Sequence, residues 1–422
     1  MSAGRFGPWT LTFLVVANMI GAGVFTTSGF TLDALGSPHW VLLAWIVGGA
    51  IALAGAASYG ALSQVMPESG GEYLFLSRAA HPALGYLAGW VSLLAGFTGA
   101  IAFAAATFES YVSPKGSPLA ALPNDLIAIG VVLLCALAHG VRVHLGAKAQ
   151  NGIVSLKIAC LAGLVLWALG PGAPESWAGV PEVDNPWPGW GAFAGALVWI
   201  SLSYSGFNAA VYVAGESKDL QRHIPRALVL GTSLVTLFYI TLNAIFVYAP
   251  PMSEVAGQPD VAAIAARWIG GPGAANLTRA VIALALLTSV SSMLMAGPRV
   301  YTKMAEDGFL PKRLISPKGT HRGGILLQSI LAIVVLLISS LETLLGYLGL
   351  TLSLSAAGSA ACLFLPKVRR RASIWLIVPG FYVGATVVSA ILLALREPTQ
   401  VVATALTFLA GGVAYVASSK GR

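Results

Sequence analysis

Apolar and polar positions along the chain divide it into about twelve continuous apolar runs. They lie at roughly 9–35, 40–65, 83–112, 122–140, 149–170, 190–214, 227–249, 275–303, 324–340, 343–365, 374–395 and 398–417. At about 20 residues each, the runs are long enough to cross a bilayer as helices. Membrane β-barrels instead alternate apolar and polar positions over segments of about 10 residues. The pattern predicts an all-α membrane protein with about 12 transmembrane helices.

Two runs carry polar or glycine-rich interruptions at mid-depth. In the first, Asn18-Met19-Ile20-Gly21-Ala22-Gly23-Val24-Phe25 places two glycines near the centre. Each weakens a helix by about 1 kcal/mol relative to alanine. If the helix opens there, free C=O groups end the inner half and free N–H groups start the outer half. Such a break needs surrounding protein or a water-filled cavity. Its amides suit a carboxylate and its carbonyls an ammonium. One break can thus hold both ends of an α-amino acid. The same glycines would also let a neighbouring helix approach closely, and the first run alone favours that simpler reading. The sixth run tips the balance with Ser203-Tyr204-Ser205-Gly206-Phe207-Asn208. The first and sixth runs hold corresponding positions in two five-run halves, 9–170 and 190–365. An odd number of crossings per half gives the halves opposite topology, and paired breaks in inverted halves point to a transporter site. The last two runs, within 374–417, are additional.

Composition supports the membrane assignment. Of 422 residues, 57% are hydrophobic and only 9% charged, against about 25% charged in soluble domains. The net charge of +8 is dispersed over short loops and does not suggest nucleic acid. With the N-terminus cytoplasmic, loops on that side hold most of the basic residues, among them Arg142, Lys218, Lys312, Lys367 and Arg369 to Arg371. The other side has Lys115, Arg267, Arg279 and Arg396. This asymmetry places both termini in the cytoplasm of a plasma (inner) membrane protein. Arg5 followed by an apolar run imitates a signal peptide, but the run continues to about Leu35, too far for one. Cys135, Cys160 and Cys362 fall inside apolar runs, without disulfide or metal-ligand spacing, so no metal or cofactor is expected. Pro171 to Pro188 reads as a loop, Pro259 to Ile269 as a short helix at the outer face, and Glu72 to Ala80 as a short surface helix.

Four stretches resemble motifs of the amino acid–polyamine–organocation (APC) superfamily, among its amino acid permeases. They are Asn18-x-Ile20-Gly21-x-Gly23-Val24-Phe25, Pro67 to Tyr73, Glu216 to Ala227, and Arg299-Val300-Tyr301 with Met304 to Pro311. They run in family order from the first helix through the eighth. Two positions depart from the pattern: Gly60-Ala61-Leu62 lacks an acidic residue common near the end of the second helix, and Asp219-Leu220 replaces an Asn-Pro pair. The resemblance implies a five-plus-five inverted-repeat, LeuT-like core with two extra C-terminal helices, and helices 1 and 6 unwound at mid-membrane. The substrate carboxylate would meet amides around Ala22, Gly23 and Val24. Its ammonium would meet carbonyls near Met19 and Ile20 and, from the sixth helix, Tyr204 or Ser205.

Lys157 is the one basic residue deep in an apolar run. A charge at that depth costs roughly 3 kcal/mol on insertion scales and marks a functional candidate, unless it snorkels to the interface. By resemblance it stands where sodium-coupled relatives hold sodium. Its ammonium would bridge a carbonyl near Gly21 and the hydroxyls of Ser289, Ser291 or Ser292, and a buried lysine can release its proton during transport. Tyr204 and Phe207 would lid the substrate or simply pack. Asn208 would bond freed backbone or substrate. Thr26, Thr27 and Ser28 would cap the outer half-helix. Glu109 reads as an interfacial or paired acid, and Ser353, Ser355 and Ser359 as packing hydroxyls. The break stretches themselves hold no acidic residue, which favours a neutral substrate over arginine or a diamine.

The sequence therefore predicts a sodium-independent secondary transporter of neutral amino acids, working by proton symport or substrate exchange. Its partners would be the amino acid, the bilayer and protons. A polyamine or organic-cation transporter of the same fold is the alternative. A channel would need a filter or charged ring. A membrane enzyme would need a nucleophile–base pair or metal cluster, and the runs show neither.

Overall fold

A computed structural model describes residues 7–68, 70–114, 116–140, 147–170, 186–213, 219–306, 308, 310, 314–315, 322–372 and 374–419. The described residues form helices and short turns, with no strand among them. Among the described residues, seven helices are long and apolar enough to cross a membrane by length and composition, and further apolar helices are 10–17 residues long.

The first apolar run is split into α1 (Pro8–Met19), a 3-10 turn (Gly23–Phe25) and α2 (Thr27–Leu35). The run 40–65 lies within α3 (Pro38–Val65), followed by α4 (Gly71–Ala79). The next helix comprises α5 (Pro82–Val91), a π segment (Ser92–Gly99) and α6 (Ala100–Val112). Then come α7 (Leu126–Gly140) and α8 (Ala147–Ala168). The second half opens with α9 (Trp190–Tyr204) and α10 (Ala209–Tyr212), then α11 (Leu220–Tyr248) and α12 (Met252–Val255). Next is α13 (Val261–Glu306), kinked at Gly270 and Gly271. The chain ends with α14 (Arg322–Ile338), α15 (Leu341–Ala361), a 3-10 turn (Cys362–Phe364), α16 (Pro366–Arg369), α17 (Ile377–Arg396) and α18 (Pro398–Ser419).

Local chemistry sets many of these boundaries. Proline opens α1, α3, α5 and α16, where its missing N–H costs nothing. Ser37 caps α3 by accepting from the His39 amide at 3.2 Å. Asp219 caps α11 through the Arg222 amide at 3.3 Å. Gly36 ends α2 at φ +66, a left-handed residue of the kind that closes helices.

Small residues let the helices meet closely at the centre. A methyl at Gly231 of α11 would fall 2.8 Å from Val15 of α1. One at Gly60 of α3 would fall 3.0 Å from Pro225 of α11. Close approach of this kind drives association where lipid removes the hydrophobic gain. The fully buried rings of Trp45, Tyr204 and Tyr239 meet one another between α3, α9 and α11.

Two expected surface helices each bury part of their length against the protein and leave Tyr73, Arg78, Arg267 and Trp268 exposed. On α4, Gly71, Glu72, Phe75 and Leu76 face inward. The opening turns of α13, Val261 to Ala266, are buried, with Val261 and Gln258 closely packed on Gly29 of α2. Most of the loop Pro171 to Pro188 lies outside the described residues, as do Arg5, Lys115, Arg142, Lys218, Lys312, Arg313 and the chain end. The described side chains also exclude Arg299 and Lys303.

Candidate functional site

Between α1 and α2 the backbone leaves the helix at Ile20 (φ −74, ψ 82). The Gly21 amide turns back onto the Met19 carbonyl at 2.8 Å. The amides of Phe25 and Thr26 reach the carbonyls of Ala22 and Gly23 at 3.2 and 3.1 Å. Among the described residues, the amides of Ala22, Gly23 and Val24 between them have no acceptor. Three successive N–H groups thus stand open at the start of the α2 half. Ala22 is half-buried, while Gly23 and Val24 are buried.

Between α9 and α10 the chain turns through Ser205 to Asn208, with Gly206 at φ +100. That angle favours glycine. The Tyr204 and Ser205 carbonyls accept no hydrogen bond among the described residues. The two breaks lie against each other. A methyl at Gly206 would stand 2.9 Å from the Asn18 carbonyl oxygen, and one at Gly23 would stand 2.6 Å from Ser203 Oγ. Thr27 Oγ1 and Ser203 Oγ are 3.1 Å apart across the junction.

A residue that periodicity does not single out joins both breaks. The Tyr239 hydroxyl of α11 donates to the Met19 carbonyl at 2.6 Å and lies 3.2 Å from the Ser203 carbonyl. One turn on, Asn243 Oδ1 accepts from Ser28 Oγ at 2.5 Å. Ser28 Oγ in turn accepts from Trp45 Nε1 at 2.9 Å. The expected capping by Thr26, Thr27 and Ser28 is replaced by other bonds. Thr26 and Thr27 bond to the Ala22 and Gly23 carbonyls, and α2 has no side-chain cap.

Lys157 of α8 is 4% exposed, and its Nζ donates to the Ile20 carbonyl at 2.5 Å. It points into the first break rather than toward an interface. The α13 serines go elsewhere: Ser289 donates to the Ala285 carbonyl and Ser292 to the Thr288 carbonyl. Ser291 lies 2.9 Å from His139 Nε2 of α7.

The absence of acidic residues from the break stretches does not hold in space. Glu72 of α4 is buried beside the second break. Its Oε1 accepts from Asn208 Nδ2 at 2.6 Å and from Tyr59 OH at 2.9 Å. Its Oε2 accepts from Tyr212 OH. Some 130 residues separate Glu72 from this segment, so no local spacing could reveal the contact. Its two oxygens serve three donors from α3 and from the segment after the second break. The other acid considered, Glu109, accepts from the Asp125 and Ala128 amides at 2.9 and 2.8 Å and so caps α7.

Tyr204 and Phe207 turn toward α3 and α17. Tyr204 OH donates to the Trp45 carbonyl at 3.1 Å. Phe207 meets Tyr59 and Tyr382 edge-on, with centroids 5.3 and 6.2 Å away. With Ser201, Ser353 and Thr386 they line a cavity of about 50 Å³ to which the first break contributes nothing. Ser353 donates to Ser201 at 2.8 Å, tying α15 to α9.

Against known proteins, the family profile described as "Amino acid permease" matches residues 6–416. The chain is 27% identical over 347 residues to the human large neutral amino acids transporter small subunit 2, covering 80% of this chain and 64% of that protein. It is 26% identical over 344 residues to the branched-chain amino acid permease BcaP of Lactococcus lactis, covering 76% of this chain and 73% of that one. The serine/threonine exchanger SteT of Bacillus subtilis is 25% identical over 341 residues, covering 78% and 76% respectively.

Proposed function

This chain belongs to the amino acid permease family of integral membrane proteins, and we propose that it is a secondary transporter of neutral amino acids. The observation that carries the proposal is the set of three amides at Ala22, Gly23 and Val24 without an acceptor among the described residues, beside a second break whose Tyr204 and Ser205 carbonyls have no donor among them. A carboxylate on those amides and an ammonium at the Tyr204 and Ser205 carbonyls would satisfy both sets. Met19 and Ile20 already accept from Tyr239 and Lys157, so their second lone pairs are what they can offer an ammonium. Backbone would hold the α-amino acid, and Gly21, Gly23 and Gly206 would permit the breaks.

In this reading the chain crosses the membrane about twelve times, with both termini cytoplasmic and α1–α2 and α9–α10 as the broken helices of inverted halves, 9–170 and 190–365. One bundle would rock against the other around the breaks. Lys157 would replace a coupling cation, making transport sodium-independent, by proton symport or exchange. Phe207 and Asn208 would act behind the site, through Tyr59 and Glu72, rather than as a lid. The relatives named for large neutral, branched-chain and hydroxyl amino acids support the neutral class. Glu72 is held behind the second break by Tyr59, Asn208 and Tyr212 rather than in the break itself.

The test is thermal stabilisation of detergent-purified protein by each of the twenty amino acids, with and without sodium. Ligand in excess raises the midpoint because it binds the folded state. Stabilisation by neutral amino acids that sodium leaves unchanged is the expected result. Stabilisation by amines alone would overturn the substrate class. A sodium requirement would overturn the role of Lys157.

A further inference from the structure

The turn between α15 and α17 carries the densest positive charge among the described residues: Lys367, Arg369, Arg370 and Arg371. Its backbone is held from within. The amides of Val368 and Arg369 both reach the Leu365 carbonyl, at 3.0 and 2.9 Å. Those of Arg371 and Ala372 both reach the Val368 carbonyl at 3.0 Å. Val368 is buried, whereas all four basic side chains are exposed. Among the described residues none of the four is in an ion pair, although Arg78, Arg267 and Arg279 elsewhere find Glu68, Glu254 and Asp260. Outward-facing apolar side chains flank the charges: Phe364 before them, Trp375 (83% exposed) and Ile377 after them.

A membrane protein that only needed cytoplasmic charge for orientation would not need it gathered on one ordered turn with apolar wings. Guanidinium groups bind phosphate through paired hydrogen bonds. Exposed tryptophan marks headgroup depth, and basic clusters beside a membrane helix attract anionic lipid. An acidic soluble partner would match the charges but leave Trp375 and Ile377 unexplained.

We propose that this turn is a docking site for the phosphate headgroups of anionic phospholipids, with Phe364, Trp375 and Ile377 set into the acyl boundary. The adjoining turn Cys362–Phe364 packs on α4, which carries Glu72. A bound headgroup therefore braces the element that holds Asn208 at the second break. Headgroup binding stands whether or not the chain transports amino acids.

Native mass spectrometry of the full chain with phosphatidylglycerol and phosphatidylcholine in equal amounts tests the proposal, alongside thermal shift with each lipid and with inorganic phosphate. The wild type should retain phosphatidylglycerol preferentially. The K367Q/R369Q/R370Q/R371Q variant should lose that preference, at about fivefold in affinity per charge removed. The R369K/R370K/R371K variant should keep the part that charge alone supplies and lose the part that paired guanidinium bonds add, and R222Q/R226Q should keep all of it. If the quadruple variant does not fold, K367Q/R369Q and R370Q/R371Q should each show part of the loss. Equal retention of the two lipids by the wild type, or an unchanged preference in the neutralised variants, overturns the proposal. So does stabilisation by inorganic phosphate that matches the lipid's.

Discussion

Lys157 and Tyr239 each spend a polar group on a carbonyl that the first break sets free. Losing a hydrogen bond from a charged donor costs about 1.5–3 kcal/mol, roughly tenfold or more in an equilibrium constant. Lys157→Met should therefore cut amino acid uptake by about tenfold or more while the protein still purifies as a folded species, with uptake into liposomes as the measurement. Tyr239→Phe removes one hydroxyl from two carbonyls, of Met19 and Ser203. It should lower the thermal midpoint and weaken substrate stabilisation, consistent with about 1–3 kcal/mol. A midpoint and a substrate response both equal to wild type would show that the hydroxyl does not tie the breaks together.

The helices meet their demands mainly through what their residues lack. At Gly206 a side chain faces both a left-handed φ and the Asn18 backbone. Gly206→Ala should thus cost about 1–3 kcal/mol and abolish transport. Gly23→Ala, 2.9 Å from the Ser203 Cα, should impair transport too. Gly130→Ala, with nothing within 4 Å of the added carbon, should be silent in the same uptake assay. Both breaks were legible in the sequence, because mid-run glycines are a local signal. Lys157 was legible as a lone charge in an apolar run. Glu72 was not: its neighbours in sequence suggest a surface helix, and only the packing of α4 brings it to Asn208. Tyr239 looks like any buried aromatic until the carbonyls it serves are seen. The facing of Tyr204 and Phe207 was equally hidden, since helical period says little about a side chain at a break.

Over the described residues, three contacts tie down the α2 side of the breaks. The Gly257 amide donates to the Gly29 carbonyl at 2.9 Å, Tyr111 OH to the Phe25 carbonyl at 2.9 Å, and Arg279 pairs with Asp260 at 2.8 Å. On the α1 side, Asn18 is exposed. A thiol reagent should accordingly label a cysteine at Asn18 faster than one at Thr31, and substrate should slow that labelling. Replacing sodium by choline should leave uptake unchanged, as the proposed role of Lys157 in place of a coupling cation requires. The open amides at Ala22, Gly23 and Val24 also bear on the cycle as a whole. Two of them are buried, and an unpaired buried donor costs about 1–3 kcal/mol. Closing around an empty site pays that penalty, whereas closing around a carboxylate does not. In the proposed cycle the unloaded return should therefore be the slow leg, and labelled substrate should leave preloaded vesicles several-fold faster when unlabelled amino acid waits on the far side.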